Sequence, residues 1–109
     1  MNQEKLAECI EACNRCADAC DHCSVACLSE ENVADMERCI RLDMDCSAMC
    51  RFAASVMARD SECATIVCRL CEKICNACAE ECAKHQHDHC RECAQYCREC
   101  ALLCQKMAA

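Results

Sequence analysis

The chain has 109 residues, 20 cysteines and a net charge of −7, and it contains no glycine, proline or tryptophan. The length suits one domain, which we expect to span residues 1–109. The negative charge, without any basic patch, argues against nucleic acid as a partner. The sequence also has no run of about 20 apolar residues, so we expect no membrane span.

Four cysteine-bearing segments predict four long helices, because neither helix breaker interrupts them. Ser29 offers a start for the second helix, Asp60 or Ser61 for the third, and Asp88 for the fourth. Similar lengths and short connections are typical of an all-α, antiparallel, up-down-up-down four-helix bundle. The predicted helices cover residues 3–28, 31–58, 61–85 and 88–107.

The cysteines recur mostly at alternating intervals of three and four residues, the rhythm with which a bundle helix normally presents its core side chains. Nineteen cysteines are therefore expected to point at the bundle axis and are the candidate metal ligands. They are Cys9, Cys13, Cys16, Cys20, Cys23, Cys27, Cys39, Cys46, Cys50, Cys68, Cys71, Cys75, Cys78, Cys82, Cys90, Cys93, Cys97, Cys100 and Cys104. Cys63 is out of register. It is predicted either to rotate inward as one more ligand, the interpretation we favour, or to be an ordinary buried thiol.

Two simple explanations of this core do not fit the pattern. A buried cysteine usually acts as a small hydrophobe, but nineteen together would leave voids, and cavities cost stability. Disulfides within a helix are disfavoured, because residues three or four apart have Cβ atoms about 5–6 Å apart and a disulfide needs about 3.5–4.5 Å. Disulfides between helices would be opposed by a reducing cytosol.

A zinc or iron–sulfur site would also use Cys-x-x-Cys pairs, but such sites usually place them on knuckles and turns rather than on uninterrupted helices. Filling twenty thiolates with tetrahedral Zn²⁺ would take about five ions and leave a charge of about −2 at each site. Cu(I) is soft, prefers thiolate and accepts two or three sulfur ligands. Bridging thiolates would bring copper and sulfur close to one to one, so that their charges cancel.

These motifs resemble those of the bacterial copper storage proteins, specifically the cytosolic class. The likeness extends over essentially the whole chain. It is carried by the Cys-x3-Cys-x2-Cys repeats from Cys9 to Cys27, by the cysteine run from Cys68 to Cys82, and by the stretch from His85 to Ala94 that leads into Cys97. The resemblance implies a four-helix bundle, commonly assembled as a homotetramer, that holds many Cu(I) ions along its axis. The sequence has no leader peptide, so we expect a cytoplasmic protein.

The ends of the predicted bundle carry other candidate ligands. In an antiparallel bundle one end should gather Cys27, Met36, Cys39, Cys82, His85, His87, His89 and Cys90. We call this the histidine end. His85 and His89 are predicted to bind Cu(I) there, and the resemblance also implies a histidine-bearing mouth. Met36 is kept as a candidate ligand, although methionines on the core seam can simply fill space.

Asp43 occupies one of the inward-facing positions of the second predicted helix, which is unusual for a carboxylate. An axial carboxylate is costly unless it finds a partner. It could accept a hydrogen bond from lysine or arginine, bind copper weakly, or lie at the edge of a tilted helix. His22 is expected on the surface.

The sequence therefore predicts a non-enzymatic cytosolic protein that stores and sequesters Cu(I), approaching one ion per cysteine, for copper homeostasis and detoxification. Its expected partners are copper ions, with copper chaperones or small thiols as possible sources of the ion. The alternatives are a zinc-binding or thiol redox protein and, after these, an iron–sulfur electron carrier.

Overall fold

The computed structural model describes residues 2–109, and these form four α-helices and one short 3-10 helix. Asn2 caps the first helix, because its side-chain oxygen accepts hydrogen bonds from the backbone N–H groups of Glu4 and Lys5 at 2.9 and 3.2 Å. The helices are α1 (Gln3–Cys27), α2 (Glu37–Ala58), α3 (Ala64–Cys82) and α4 (Asp88–Ala108), and the 3-10 helix Val33–Met36 precedes α2.

The four helices form an elongated antiparallel bundle of about 45 × 17 × 17 Å. Each helix packs along its length against two others, so that α1 contacts α2 and α4, and α3 contacts the same two. The sulfur of Cys9 near the start of α1 lies 3.8 Å from that of Cys104 near the end of α4. The sulfur of Cys27 at the end of α1 lies 4.0 Å from that of Cys39 near the start of α2. The predicted four-helix bundle is confirmed.

The second helix begins later than predicted, at Glu37 rather than at residue 31. Ser29 and Glu30 belong to the end of α1, because their backbone N–H groups donate to the carbonyls of Ala26 and Cys27 at 3.1 and 3.2 Å. These hydrogen bonds between residues three apart satisfy backbone carbonyls at the end of the helix that have no partner within it. The polar residues that suggested a helix start therefore close the preceding one.

The third helix is shorter at both ends than the predicted span of residues 61–85. Asp60 adopts a left-handed backbone with φ of 51°, and the N–H of Ser61 donates back to the carbonyl of Val56 at 3.0 Å. These two residues therefore terminate α2 instead of capping α3. At the other end, a tight bond from the His85 N–H to the carbonyl of Cys82 closes the helix.

The core is lined mainly by cysteine thiols rather than by large hydrocarbon side chains. Nineteen cysteine side chains have no solvent exposure, and small residues such as Ala17 and Ala53 fill the space between them. Met36 and Met57 are the largest of the fully buried apolar side chains, and each lies near one end of the bundle. Isoleucine and leucine pack around this core from its edges rather than forming it.

Within residues 2–109, no helix combines the length and the apolar character that crossing a bilayer would require.

Candidate metal centre

The sulfur atoms form a continuous column along the bundle axis. The prediction that nineteen cysteines point inward is confirmed, because all of them are buried free thiols. Sulfurs from different helices approach within 3.5 Å for Cys13 and Cys100, and within 3.6 Å for Cys46 and Cys75. Pairs within one helix, such as Cys46 and Cys50, are 4.0 Å apart. The four-three spacing therefore brings thiols of the same helix and of neighbouring helices into contact along the axis.

The column divides into overlapping groups of four sulfurs, and within each group every pair of sulfurs lies within 4.8 Å. Neighbouring groups share members: Cys16 and Cys46 belong to two of them, and Cys20 and Cys97 link one of these to the next. Shared thiols suit bridging ligation of many ions better than separate four-sulfur sites. Examples of these groups are Cys13, Cys71, Cys100 and Cys104; Cys16, Cys46, Cys50 and Cys75; Cys16, Cys20, Cys46 and Cys97; and Cys20, Cys78, Cys93 and Cys97.

The structure does not bring Cys63 into this column. Cys63 precedes the first turn of α3 and is exposed to solvent, and its backbone N–H donates to the Ser61 hydroxyl at 3.0 Å. The predicted inward rotation and the alternative that Cys63 is an ordinary buried thiol are therefore both wrong. Its role as a ligand stays a prediction.

Asp43 lies on the axis rather than at a helix edge, so the tilted-helix alternative is wrong. Its carboxyl group has no solvent exposure. The sulfurs of Cys93, Cys78 and Cys82 lie 3.2, 3.3 and 3.4 Å from Oδ1, and that of Cys39 lies 3.8 Å from Oδ2. Its neighbours are thus thiols, not lysine or arginine. Burial, and then the charge that the Cys93 and Cys78 thiolates would add, raises the pKa of Asp43 to about 11.

This burial makes the stability of the metal-free protein depend on pH. The folded protein binds the Asp43 proton more tightly than the unfolded chain, whose aspartate pKa is about 3.9. The stabilising contribution is therefore complete below about pH 4 and is lost as the pH rises toward about 11. We expect Asp43→Asn to remove this dependence. Relative to the variant, the wild type should lose about 1.4 kcal/mol of unfolding free energy per pH unit between about pH 5 and 7.

Denaturant unfolding of the reduced, metal-free proteins at several pH values measures this difference. Asp45→Asn is the matched control, because Asp45 lies two residues away on the exposed side of α2. It should follow the wild type. If the free energies of wild type and Asp43→Asn run parallel over this range, the assignment of a protonated Asp43 is contradicted.

At the histidine end the structure brings thiols together with His89, one of the two histidines predicted to bind Cu(I). The sulfurs of Cys39 and Cys82 lie 3.6 Å apart. Nδ1 of His89 lies 3.4 Å from the sulfur of Cys23, 3.5 Å from that of Cys90 and 3.9 Å from that of Cys27. His89 thus directs a nitrogen at the last layer of the sulfur column. Met36 is fully buried at this end, with the side-chain nitrogen of Asn32 3.8 Å from its sulfur.

The other two histidines at this end are held by carboxylates. Nε2 of His85 lies 2.9 Å from Oε2 of Glu81, and Nδ1 of His87 lies 2.8 Å from Oε2 of Glu30. Burial alone would raise the pKa of Glu81, but hydrogen bonds from His85, Arg38 and Lys84 outweigh it and hold that pKa below its usual value. Neither carboxylate was predicted from the sequence as a partner of these histidines. The four-residue spacing from Glu81 to His85 was a signal for the first, whereas Glu30 lies in a turn and gave none.

The thiols of Cys27 and Cys90 at this end are protonated in the metal-free protein at neutral pH. Burial, and then the charge of a neighbouring Cys39 thiolate, raises the pKa of Cys27 to about 12, and the same causes raise the pKa of Cys90. Since a metal binds the thiolate, an ion that binds Cys27 or Cys90 must displace the proton of that thiol.

Comparison with known proteins shows which family has this arrangement. The Csp family profile, described as copper storage protein, matches residues 2–109. The chain is 46% identical to the Bacillus copper storage protein BsCsp3 in its Cu(I)-bound form, with a TM-score of 0.93, covering 96% of this chain and 99% of that one. A structure of a cytosolic copper storage protein from Streptomyces lividans with five coppers also matches. The identity is 46% and the TM-score 0.93, covering 96% of this chain and 92% of that one.

A curated relative matches only part of the chain. The chain is 48% identical over 66 residues to the uncharacterized cysteine-rich protein YhjQ of Bacillus subtilis strain 168. The aligned stretch spans 61% of this chain and 61% of that relative, which is less than two thirds of either length. The family match, by contrast, covers nearly every residue, and the likeness to the two copper-bearing structures extends over nearly the full length of each chain. The sulfur-lined bundle described above thus belongs to the copper storage protein family.

Proposed function

We propose that this protein stores and sequesters multiple Cu(I) ions in the thiol-lined axis of its bundle, for copper homeostasis and detoxification. The observation that carries the proposal is the continuous column of nineteen buried thiols, with contacts of 3.5–4.0 Å within and between helices. Two- or three-coordinate Cu(I) can bridge such neighbours throughout the column, whereas isolated tetrahedral sites would have to share sulfurs. The copper-bearing relatives support the same metal.

The candidate ligands are the nineteen core cysteines together with His85, His89, Met36 and the exposed Cys63. The column should fill toward one Cu(I) per cysteine, because one thiolate per ion leaves the buried core without net charge. His89 is the best supported of the other ligands, since its Nδ1 already lies beside three thiols. His85 would first have to release Glu81 or bind through its other nitrogen.

The role is storage without catalytic turnover, in the cytoplasm. The family description supports storage, and the Streptomyces lividans relative is described as cytosolic. We further propose a homotetramer. Exposed apolar side chains on the outer faces of the bundle, including Phe52, Leu102 and Ile66, support this assembly because water is an unfavourable environment for them. Copper chaperones or small thiols would deliver the ion.

An anaerobic titration tests the proposed function. The reduced protein is titrated with Cu(I) in the presence of a competing chromophoric chelator, and bound copper per chain is measured. We expect saturation near the number of cysteines, 20. Saturation near about two to five ions would instead fit separate tetrahedral sites and would contradict the proposal. A parallel titration with Zn²⁺ is the control, and it should saturate at far fewer ions because about −2 of charge remains at each four-thiolate site.

A further inference from the structure

We propose that Cys23, Cys27, Cys90 and His89 form a preassembled site for a single Zn²⁺ ion at the histidine end. Three thiols and one imidazole are one of the standard ligand sets of structural zinc. All three thiols are buried, and His89 is largely covered. The site draws on the ends of two helices, with two ligands from the last turns of α1 and two from the first turn of α4.

The distances between these four atoms fit a tetrahedron. With Zn–S bonds of about 2.3 Å and Zn–N bonds of about 2.0–2.1 Å, tetrahedral angles place two sulfurs about 3.8 Å apart and a sulfur and a nitrogen about 3.6 Å apart. The sulfur of Cys23 lies 3.9 Å from those of both Cys27 and Cys90, which lie within 4.8 Å of each other. Nδ1 of His89 lies 3.4, 3.5 and 3.9 Å from the sulfurs of Cys23, Cys90 and Cys27.

The surroundings of His89 favour metal binding through Nδ1. Nε2 of His89 is buried without a hydrogen bond of good geometry, and its nearest carboxylate oxygen, Oε1 of Glu30, lies 3.5 Å away. The second oxygen of Glu30 holds His87, whose ring stacks on that of His89 at a centroid distance of 5.3 Å. A carboxylate behind the distal nitrogen is the usual outer partner of a metal-bound histidine, and it fixes the proton on that nitrogen. Glu30 is therefore the positioning residue of the site.

Charge explains why zinc should bind here and not along the axis. Three thiolates and a neutral imidazole leave about −1 with Zn²⁺, at an end where His89 keeps some contact with solvent. Four-thiolate groups would leave about −2 in a fully buried position, both deeper in the core, as for Cys16, Cys46, Cys50 and Cys75, and at this end if Cys39 replaced His89 as the fourth ligand. Zinc would occupy ligands that the proposed function assigns to Cu(I). We expect incoming copper to displace the zinc. That expectation rests on the proposed function, whereas zinc binding itself does not.

Cobalt substitution tests the site, because tetrahedral Co²⁺ bound to thiolates absorbs strongly in the visible range. The reduced, copper-free, full-length protein is titrated anaerobically with Co²⁺, and Zn²⁺ is then added to displace it. We expect the first equivalent of Co²⁺ to give a tetrahedral spectrum typical of three sulfurs and one nitrogen, and one equivalent of Zn²⁺ to remove it. Glu30→Ala should weaken Co²⁺ binding about 10–100-fold, and His89→Ala should weaken it more and change the spectrum.

His22→Ala is the matched control, because His22 is an exposed histidine on α1 outside the core. It should leave the first equivalent unchanged. The proposal is overturned if the first Co²⁺ gives no tetrahedral spectrum, or if neither Glu30→Ala nor His89→Ala affects its binding. Since no copper is present, such a failure would leave the Cu(I) titration unaffected. Conversely, failure of copper storage would not alter the cobalt result.

Discussion

Replacing the six cysteines of α1 with serine is expected to lower copper capacity by at least the share that they represent, six of twenty or about 30%. The loss should exceed this share because each α1 sulfur shares ions with other helices. Cys13 contacts Cys100 of α4 at 3.5 Å, and Cys16 contacts Cys46 of α2 at 3.8 Å. The replaced residues are Cys9, Cys13, Cys16, Cys20, Cys23 and Cys27.

Serine is chosen because it nearly preserves volume, and a buried helical hydroxyl can bond to the carbonyl one turn earlier. Far-ultraviolet circular dichroism of the metal-free variant reports whether the bundle is still folded, and copper per chain is then measured under chelator competition. Cys63→Ser is the control. Because Cys63 is exposed and outside the column, its loss should cost at most about one copper. A folded six-serine variant with undiminished capacity would contradict the placement of copper along the axis.

Copper loading is expected to raise the midpoint of thermal unfolding by more than about 20 °C. A ligand that binds only the folded state stabilises it by about 4 kcal/mol per site at a thousand times its dissociation constant. In a domain of about this size, each kcal/mol raises the midpoint by about 4–8 °C, so a few filled sites suffice. The effect should be large because the metal-free core is made of small side chains, which make few dispersion contacts each.

Anaerobic scanning calorimetry of the metal-free and fully loaded protein measures this shift. Loaded protein from which a strong chelator has removed the copper is the control, and its midpoint should return to that of the metal-free form. A rise of less than about 5 °C on full loading would mean that copper does not link the four helices through the core.

The fold could be predicted from the sequence because the same three- and four-residue cysteine spacing recurs along the helices. The intervals from Cys9 to Cys27 and from Cys68 to Cys82 point every sulfur at one axis, and the structure confirms this. Helix ends were less predictable. Asp60 and Ser61 resemble a helix start, yet Asp60 takes a left-handed backbone and ends α2. Capping residues also occur in the turns that close a helix, so composition alone does not distinguish these two uses.

The carboxylates were harder to place than the thiols. Seam position alone put Asp43 on the axis, but the cost of burying a charge favoured an alternative at the helix edge. Protonation removes that cost, because burial, and then the charge that the neighbouring Cys93 and Cys78 thiolates would add, raises the pKa of Asp43. Glu30 contacts His87 and His89 from the turn after α1, and such contacts depend on tertiary geometry that sequence spacing does not encode. Glu81 holds His85 one helical turn away, a spacing that was visible in the sequence.

The most direct test of copper storage in the bundle core is anomalous X-ray diffraction from crystals of the loaded protein, with data collected on both sides of the copper absorption edge. We expect a row of copper peaks along the bundle axis, each beside two or three cysteine sulfurs, extending from the layer of Cys9 and Cys104 to that of Cys27 and Cys90. Copper peaks confined to the surface, at histidines and carboxylates outside the sulfur column, would contradict copper storage in the bundle core.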